Sequence, residues 1–195
     1  MKQTLKISSS ILIFLLSFNV FAQKKVQKIS MSYTINAPAS KVWEVVGDDY
    51  ANIYKSHPKV ITSNFINNST SAQFGSERVC NFNDKGSKYI KERITEYDSE
   101  NYSCKIDVYE VKGFPINSEY TYAIQRVIPI DDNTSTFEME FHYRTKPGLL
   151  GGFAKGSFKK GLLQYAMAVE HYILTGEEVT KDNFKAIWKA NKHKS

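Results

Sequence analysis

The sequence predicts an α+β fold in which a curved antiparallel sheet of about seven strands wraps a long C-terminal helix, with two short helices after the first strand. Three observations predict it. From about residue 60 to residue 145, apolar and polar residues alternate with a period of two, broken only by short clusters of Asn, Gly, Ser and Asp. After Pro147-Gly148 the period becomes helical: Phe158, Leu162, Leu163, Ala166, Met167, Val169 and the Ile173-Leu174 pair form one apolar stripe from about Gly152 to Thr175. Ahead of the meander, one alternating strand runs into Ala37-Pro38 and two short helical patterns.

In order, Ile29, Met31, Tyr33 and Ile35 alternate with Ser30, Ser32, Thr34 and Asn36, giving a strand with one buried face. Pro38 suits a first helical turn, and Val42, Trp43 and Val46 recur at helical spacing up to Gly47-Asp48-Asp49. A second short helix, Tyr50 to Ser56, stops at His57-Pro58. Six strands follow, at about 60–67, 76–83, 87–97, 102–111, 117–128 and 134–145. Asn67-Asn68-Ser69 ends the first of them, and Ser99-Glu100-Asn101 reads as a three-residue loop with Asn101 left-handed. Inward positions then include Cys104, Ile106 and Val108, next Tyr120, Tyr122 and Ile124, and finally Phe137, Met139, Phe141 and Tyr143. Gly176 stops the long helix, and Thr180 caps a short helix carrying Phe184, Ile187 and Trp188.

The first 22 residues have a secretory layout: Lys2 and Lys6, an apolar run from Ile11 to Leu16 extended through Val20, and Val20-Phe21-Ala22 as a small-residue cleavage site. The run is short for a membrane span, and Ser17 and Asn19 interrupt it. The expectation is a signal peptide over 1–22 and one domain over 23–195, with a core at about 29–175 and a short helix at about 180–191. Such a protein is exported, periplasmic or extracellular, and has no integral span after cleavage. The formal charge of +6 includes the two leader lysines, and the remaining excess gathers at Lys155, Lys159, Lys160 and the tail from Lys181 to Lys194. That pattern reads as a solvated helix face rather than a nucleic-acid surface, and leaves room for weak contact with an anionic membrane. Cys80 and Cys104 lie on strands separated by a third, too far apart for a disulfide, so both are expected as free inward thiols.

The hairpin from Gly75 to Asp98 carries the functional signal. Arg78, Cys80 and Phe82 share one face of its first strand, and Ile90, Glu92 and Ile94 share one face of its second. With Asp84-Lys85-Gly86 as a three-residue loop and Gly86 left-handed, Cys80 pairs Ile90 and Arg78 falls opposite Glu92. A one-residue slip would instead put both charges in water. It would also expose Ile90 and Ile94 and bury Lys91 and Arg93, an unfavourable exchange. An inward Glu92 needs Arg78, water or a ligand as partner, since a buried unpaired carboxylate costs several kcal/mol. His57, His142, His171 and His193 have no metal-ligand spacing, and no nucleophile, phosphate-loop or metal motif is present, so no cofactor or metal is expected.

The element order, together with Ala37-Pro38, Val42-Trp43, Asp49, His57-Pro58 with Val60, Gly75-x-x-Arg78, Glu92-Arg93-Ile94, Tyr97-Asp98, Tyr102 and the Pro115 to Tyr120 segment, resembles the START-like (SRPBCC) superfamily, specifically its polyketide cyclase/dehydrase-like branch. The resemblance spans about 29–175 and implies a helix-grip (START/Bet v 1-like) fold with an apolar cavity between sheet and helix. It implies that Arg78 and Glu92 project into that cavity, with Asp84-Lys85-Gly86 and Gly113-Phe114-Pro115 as entrance loops. Cys104 departs from the pattern, where an aromatic residue is common, which suggests an enlarged or reshaped pocket.

The preferred reading is a binder of a small, mostly apolar molecule of lipid, polyketide or isoprenoid type, lined by Arg78, Cys80, Ile90, Glu92, Ile94, Cys104, Ile106, Val108, Phe114, Tyr120, Tyr122, Phe141 and Tyr143. An alternative is a cyclase/dehydratase-like lyase, with Glu92 as general acid/base and Arg78 polarising a carbonyl. Close pairing counts against it, because a carboxylate bound by arginine is a poor proton donor. A second alternative is a protein-interaction module with a filled cavity. Ligand identity and oligomeric state are left open by the residues.

Overall fold

A computed structural model describes residues 26–191, so the leader expected over 1–22 and the last tail lysines lie outside the described residues. The first strand, β1 (Gln27–Ile35), is followed by α1 (Ala39–Trp43), a π-helical turn (Glu44–Asp48) and a 3-10 segment (Tyr50–Ser56). The meander comprises β2 (Thr62–Ile66), β3 (Glu77–Asn81), β4 (Tyr89–Asp98), β5 (Ser103–Lys112), β6 (Tyr122–Asp131) and β7 (Thr134–Tyr143). The long helix α2 (Gly151–Thr175) and the short α3 (Phe184–Asn191) complete it. All pairings are antiparallel in the order β1-β7-β6-β5-β4-β3-β2. Consecutive strands pair throughout the meander. β1 alone pairs with the last strand, so the segment from Ala37 to Lys59 must cross from one sheet edge to the other, and it covers the core on the way.

Burial explains why these residues hold the sheet to α2. Ile35, Val42, Trp43, Ile94, Ile106, Val127 and Phe137 are buried together with Tyr165, Ala166, Met167 and Val169 of α2. Each large side chain in that cluster contributes roughly 1.5–3 kcal/mol on leaving water. The polar pin between sheet and helix is Glu170, whose carboxylate accepts from Tyr33 Oη at 2.8 Å and from the Asn36 backbone and side-chain nitrogens at 3.3 Å. Gly176 ends α2 in the left-handed region at φ 71°, and its N–H donates to the Tyr172 carbonyl, as the sequence predicts. No described helix is long and apolar enough to cross a membrane.

Two sequence expectations are corrected here. The left-handed residue of the β4–β5 loop is Tyr102, at φ 50°, not Asn101. Asn101 instead donates from its backbone and side chain to Asp98, and Asp98 pairs with Ser103, so the loop is one residue longer than expected. The second correction concerns β6, which begins at Tyr122 rather than near 117 because Ser118–Tyr120 forms a 3-10 turn capped by the Asn117 side chain. Its inner face carries Ala123, Gln125 and Val127, opposite Ile106, Cys104 and the core, whereas Tyr122 and Ile124 point outward. Tyr120 and Tyr122 are therefore not inward residues. Tyr122 stacks on His142 across the outer face at 4.3 Å, and Tyr120 lies under the Arg144 guanidinium.

Candidate functional site

β3 and β4 pair with Arg78 opposite Glu92 and Cys80 opposite Ile90, the register the alternation predicts, and Gly86 in the turn is left-handed at φ 61°. Arg78 Nε donates to Glu92 Oε2 at 2.7 Å, and Nη1 donates to the Tyr50 carbonyl at 2.6 Å. The guanidinium also lies 4.0 Å from the Tyr50 ring centroid, a cation–π contact inside the fold. Burial is the largest single influence and disfavours the charge on Arg78, but the Glu92 carboxylate, reinforced by Cys80, Tyr50 and Tyr165, raises its pKa, so the cation is fixed. The two partners differ in exposure: the Arg78 side chain is 4% exposed and Glu92 is 17% exposed. Among the described residues, Glu92 Oε1 accepts no hydrogen bond, while Oε2 also receives the Cys80 thiol at 3.7 Å.

The next strand reaches this pair through a bulge. The β4–β5 register shifts between Lys91 and Glu92, leaving Tyr109 as the extra residue, so that Val108 faces Glu92 on the inner side. Tyr109 turns outward and donates to Glu77, which Arg93 also binds. Inside, Cys80 and Cys104 are buried free thiols, as expected, and burial pushes both up to about 12. They stay protonated at neutral pH and supply no nucleophile.

An aromatic wall runs outward from the charge pair. The ring of Tyr165 on α2 lies 5.0 Å from that of His57, which meets Phe82 edge-on, and Phe82 meets Phe114 edge-on at 4.8 Å. Burial, then the charges of Lys59 and Arg78, push His57 down to about 3, so this wall is neutral. At the same end of the sheet Ile90, Phe141 and Ala123 are on the inner face yet only half-buried, as are Phe158, Leu162 and Leu163 of α2. A half-buried alanine on a central strand means that its inner face opens onto a recess rather than onto packed atoms. Two buried polar atoms of the interior, Tyr50 Oη and Gln125 Oε1, have no hydrogen-bond partner among the described residues.

Of the residues singled out from sequence, Arg78, Cys80, Ile90, Glu92, Ile94, Cys104, Ile106 and Val108 share the inner face. Phe114 sits at its rim, and Phe141 faces Ala123. Tyr143 is buried, but its hydroxyl donates to the Gly151 carbonyl and holds the start of α2. Tyr120 and Tyr122 stand outside, and Tyr122 borders a polar outer groove of about 540 Å³ with Arg93, Lys105, Asp107 and Glu119. That groove's charges are largely cross-paired, Lys105 with Asp107 and Arg93 with Glu77. Sequence reasoning missed Tyr50, Gln125 and Tyr165 as site groups. Tyr165 had a signal, a hydroxyl inside an apolar helical stripe; Gln125 had none, since the bulkier set on β6 faces out.

The sequence matches the family described as polyketide cyclase / dehydrase and lipid transport over residues 26–170. Compared with curated proteins, it has no significant match. Among solved structures it is similar to norcoclaurine synthase from Thalictrum flavum in complex with dopamine and hydroxybenzaldehyde, with 17% identity and a TM-score of 0.59, over 78% of this chain and 88% of that one. A Thermobifida fusca protein solved by NMR is 24% identical with a TM-score of 0.62, over 75% and 92% of the two chains. The di-domain ARO/CYC protein BexL is 15% identical with a TM-score of 0.58, over 74% of this chain and 45% of that one. At these identities the structures establish the helix-grip, Bet v 1-like fold. With the family match spanning most of the described residues, the chain belongs to the polyketide cyclase/dehydrase and lipid transport family of SRPBCC-type proteins.

Proposed function

We propose that this protein is an exported, non-enzymatic binder of a small, mostly apolar molecule, held between the sheet and α2 with one hydroxyl or carbonyl directed at Arg78 and Glu92. The observation that carries the reading is an inward ion pair with one carboxylate oxygen, Glu92 Oε1, left unbonded beside a half-buried aromatic wall. A ligand hydroxyl donating to that oxygen would be oriented by it. Apolar surface removed from water along Ile90, Phe82, Phe141 and Leu162 would supply affinity at about 25 cal/mol per Å². The leader-like first 22 residues support export. A structure of the same fold, norcoclaurine synthase, was solved with dopamine and hydroxybenzaldehyde, small molecules of mixed polarity, which supports a small-molecule reading.

The same geometry argues against catalysis by these groups. Glu92 is bonded to Arg78 at 2.7 Å, and the nearby thiols and His57 hold no exchangeable charge at neutral pH. The test is native mass spectrometry of the protein as purified from its host, repeated after denaturation. A mass excess that is released on denaturation is expected. A bare mass, together with failure to take up an apolar fluorescent probe, would overturn the reading. Conversion of the released molecule by the wild type, lost in Glu92→Gln with binding kept, would make the protein an enzyme.

A further inference from the structure

Three lysines from three separate elements converge at the outer end of the aromatic wall. Lys59 follows His57, and its backbone N–H donates to His57 Nδ1 at 3.1 Å. Its ammonium lies 3.7 Å from the point where a side chain on Gly161 would begin, so the bare helix face there lets Lys59 lie across α2. Lys88, at the end of the β3–β4 turn, holds its ammonium 4.5 Å from the Phe114 ring centroid. Lys160 precedes Gly161 on α2. Burial, then the positive charges of Lys160 and Lys88, pull the Lys59 ammonium below its ordinary value, so Lys59 stands near enough to both to feel their charge. Among the described residues, the lysines that form ion pairs are Lys28, Lys41, Lys55, Lys91 and Lys105, and none of these three is included. Like charge gathered around Lys59 without an ion-paired carboxylate to offset it is an arrangement that an external anion would relieve.

We infer that Lys59, Lys88 and Lys160 form the anion-holding rim of the recess, and that its ligand is an amphipathic molecule whose carboxylate or phosphate sits at the rim while its apolar body lies against Phe114, Phe82 and Tyr165. The inference rests on the binding reading above and narrows its ligand to an acidic amphiphile. The rim and the Arg78–Glu92 pair are joined by the continuous row Phe114–Phe82–His57–Tyr165, so one elongated molecule spans a charged end and a hydrogen-bonding end.

The experiment compares cis-parinaric acid with its methyl ester, which has the same apolar chain and no charge, by fluorescence titration at low and high salt. The acid should bind about tenfold more tightly than the ester at low salt, the advantage expected for three solvent-facing charge contacts, and should lose that advantage at high salt. Lys59→Gln/Lys88→Gln/Lys160→Gln should bring the two probes together. Lys181→Gln/Lys185→Gln/Lys189→Gln, with the same change in net charge, should leave the preference intact. Equal binding of acid and ester by the wild type would overturn the rim and spare the cavity, whereas binding of neither would overturn the cavity reading itself. Capture by anionic but not neutral vesicles, with no acid preference in solution, would assign the lysines to a bilayer surface and also overturn the inference. An alkyl phosphate as competitor distinguishes the two anion types.

Discussion

Removing the charge of Glu92 should leave Arg78 ionised and unpaired in the interior, and the cost follows from the geometry. The pair is separated by 2.7 Å, and Arg78 keeps only the Tyr50 carbonyl and the face of the Tyr50 ring as other partners. Taking away one member of a buried pair costs about 3–5 kcal/mol, and the partial exposure of Glu92 puts Glu92→Gln at the low end, about 3 kcal/mol. In a domain of this size that is a loss of roughly 6–12 °C in melting temperature. The paired replacement Arg78→Met/Glu92→Leu removes both charges and strands only the Tyr50 carbonyl and the weakly donating Cys80 thiol, so it should cost about 1–3 kcal/mol, well under the sum of the two single losses. Urea and thermal unfolding of the four proteins close a double-mutant cycle. A Glu92→Gln cost under about 1 kcal/mol, or a paired variant as unstable as the sum of the singles, would refute the argument that this is a buried, mutually dependent pair. The paired variant should also take up an apolar probe yet bind a hydroxyl-bearing one no better than its hydrocarbon, which separates the ligand role of the pair from its structural one.

Tyr33→Phe deletes the 2.8 Å donor to Glu170 and should cost about 1–3 kcal/mol, read as a shift in urea midpoint. His57 is held neutral down to about 3, whereas an unfolded histidine takes its proton near 6.5, so the unfolded chain binds more protons between those values and stability falls as pH drops through that window. His57→Phe should lose about 1–2 kcal/mol less than the wild type between pH 7 and pH 5; equal slopes would contradict the buried neutral imidazole. Tyr122→Ala removes an outer stack on His142 and should cost under about 1 kcal/mol with probe uptake unchanged, while loss of uptake would return Tyr122 to the interior.

The hairpin was legible because its two faces differ so strongly that a one-residue slip would turn Ile90 and Ile94 out, and because the short loop closed by left-handed Gly86 sets Arg78 opposite Glu92. The strand count, the order of elements around α2 and the Gly176 stop were legible for a like reason, since each rests on a period or on a residue that enters the left-handed region without a steric cost. β6 was not. Its outward set, Tyr122, Ile124 and Ile128, is more apolar than its inward set, Ala123, Gln125 and Val127, because the outer face uses aromatic stacking and the inner face must leave space. Hydrophobic alternation assumes that the buried face is the greasier one, and a hollow interior reverses that assumption locally. Tyr50 and His57 were placed in the sequence but not read as site groups, because they sit in the crossing segment, where no repeat marks which side faces the site.

That reversal identifies where stability and binding are divided along the molecule. The C-terminal half of α2, from Tyr165 to Glu170, is buried and is pinned to β1 through Glu170, and the sheet residues facing it, Phe137, Val127 and Met31, pack around it. The N-terminal half carries Phe158, Leu162 and Leu163 only half-buried, with Phe158 against Phe141 and Tyr143 and the two leucines at the margin of the core. One helix thus closes a packed end and, on the proposed binding reading, roofs a hollow one. Because Leu162 lies half-buried at the margin of the core, Leu162→Ala should cost less than the about 2–5 kcal/mol that a fully packed leucine would impose, read as a small shift in urea midpoint. A ligand occupying the hollow end would add the contacts that this half of the helix lacks, so binding should raise the melting temperature chiefly by tightening residues 151–163, the segment with least burial of its own.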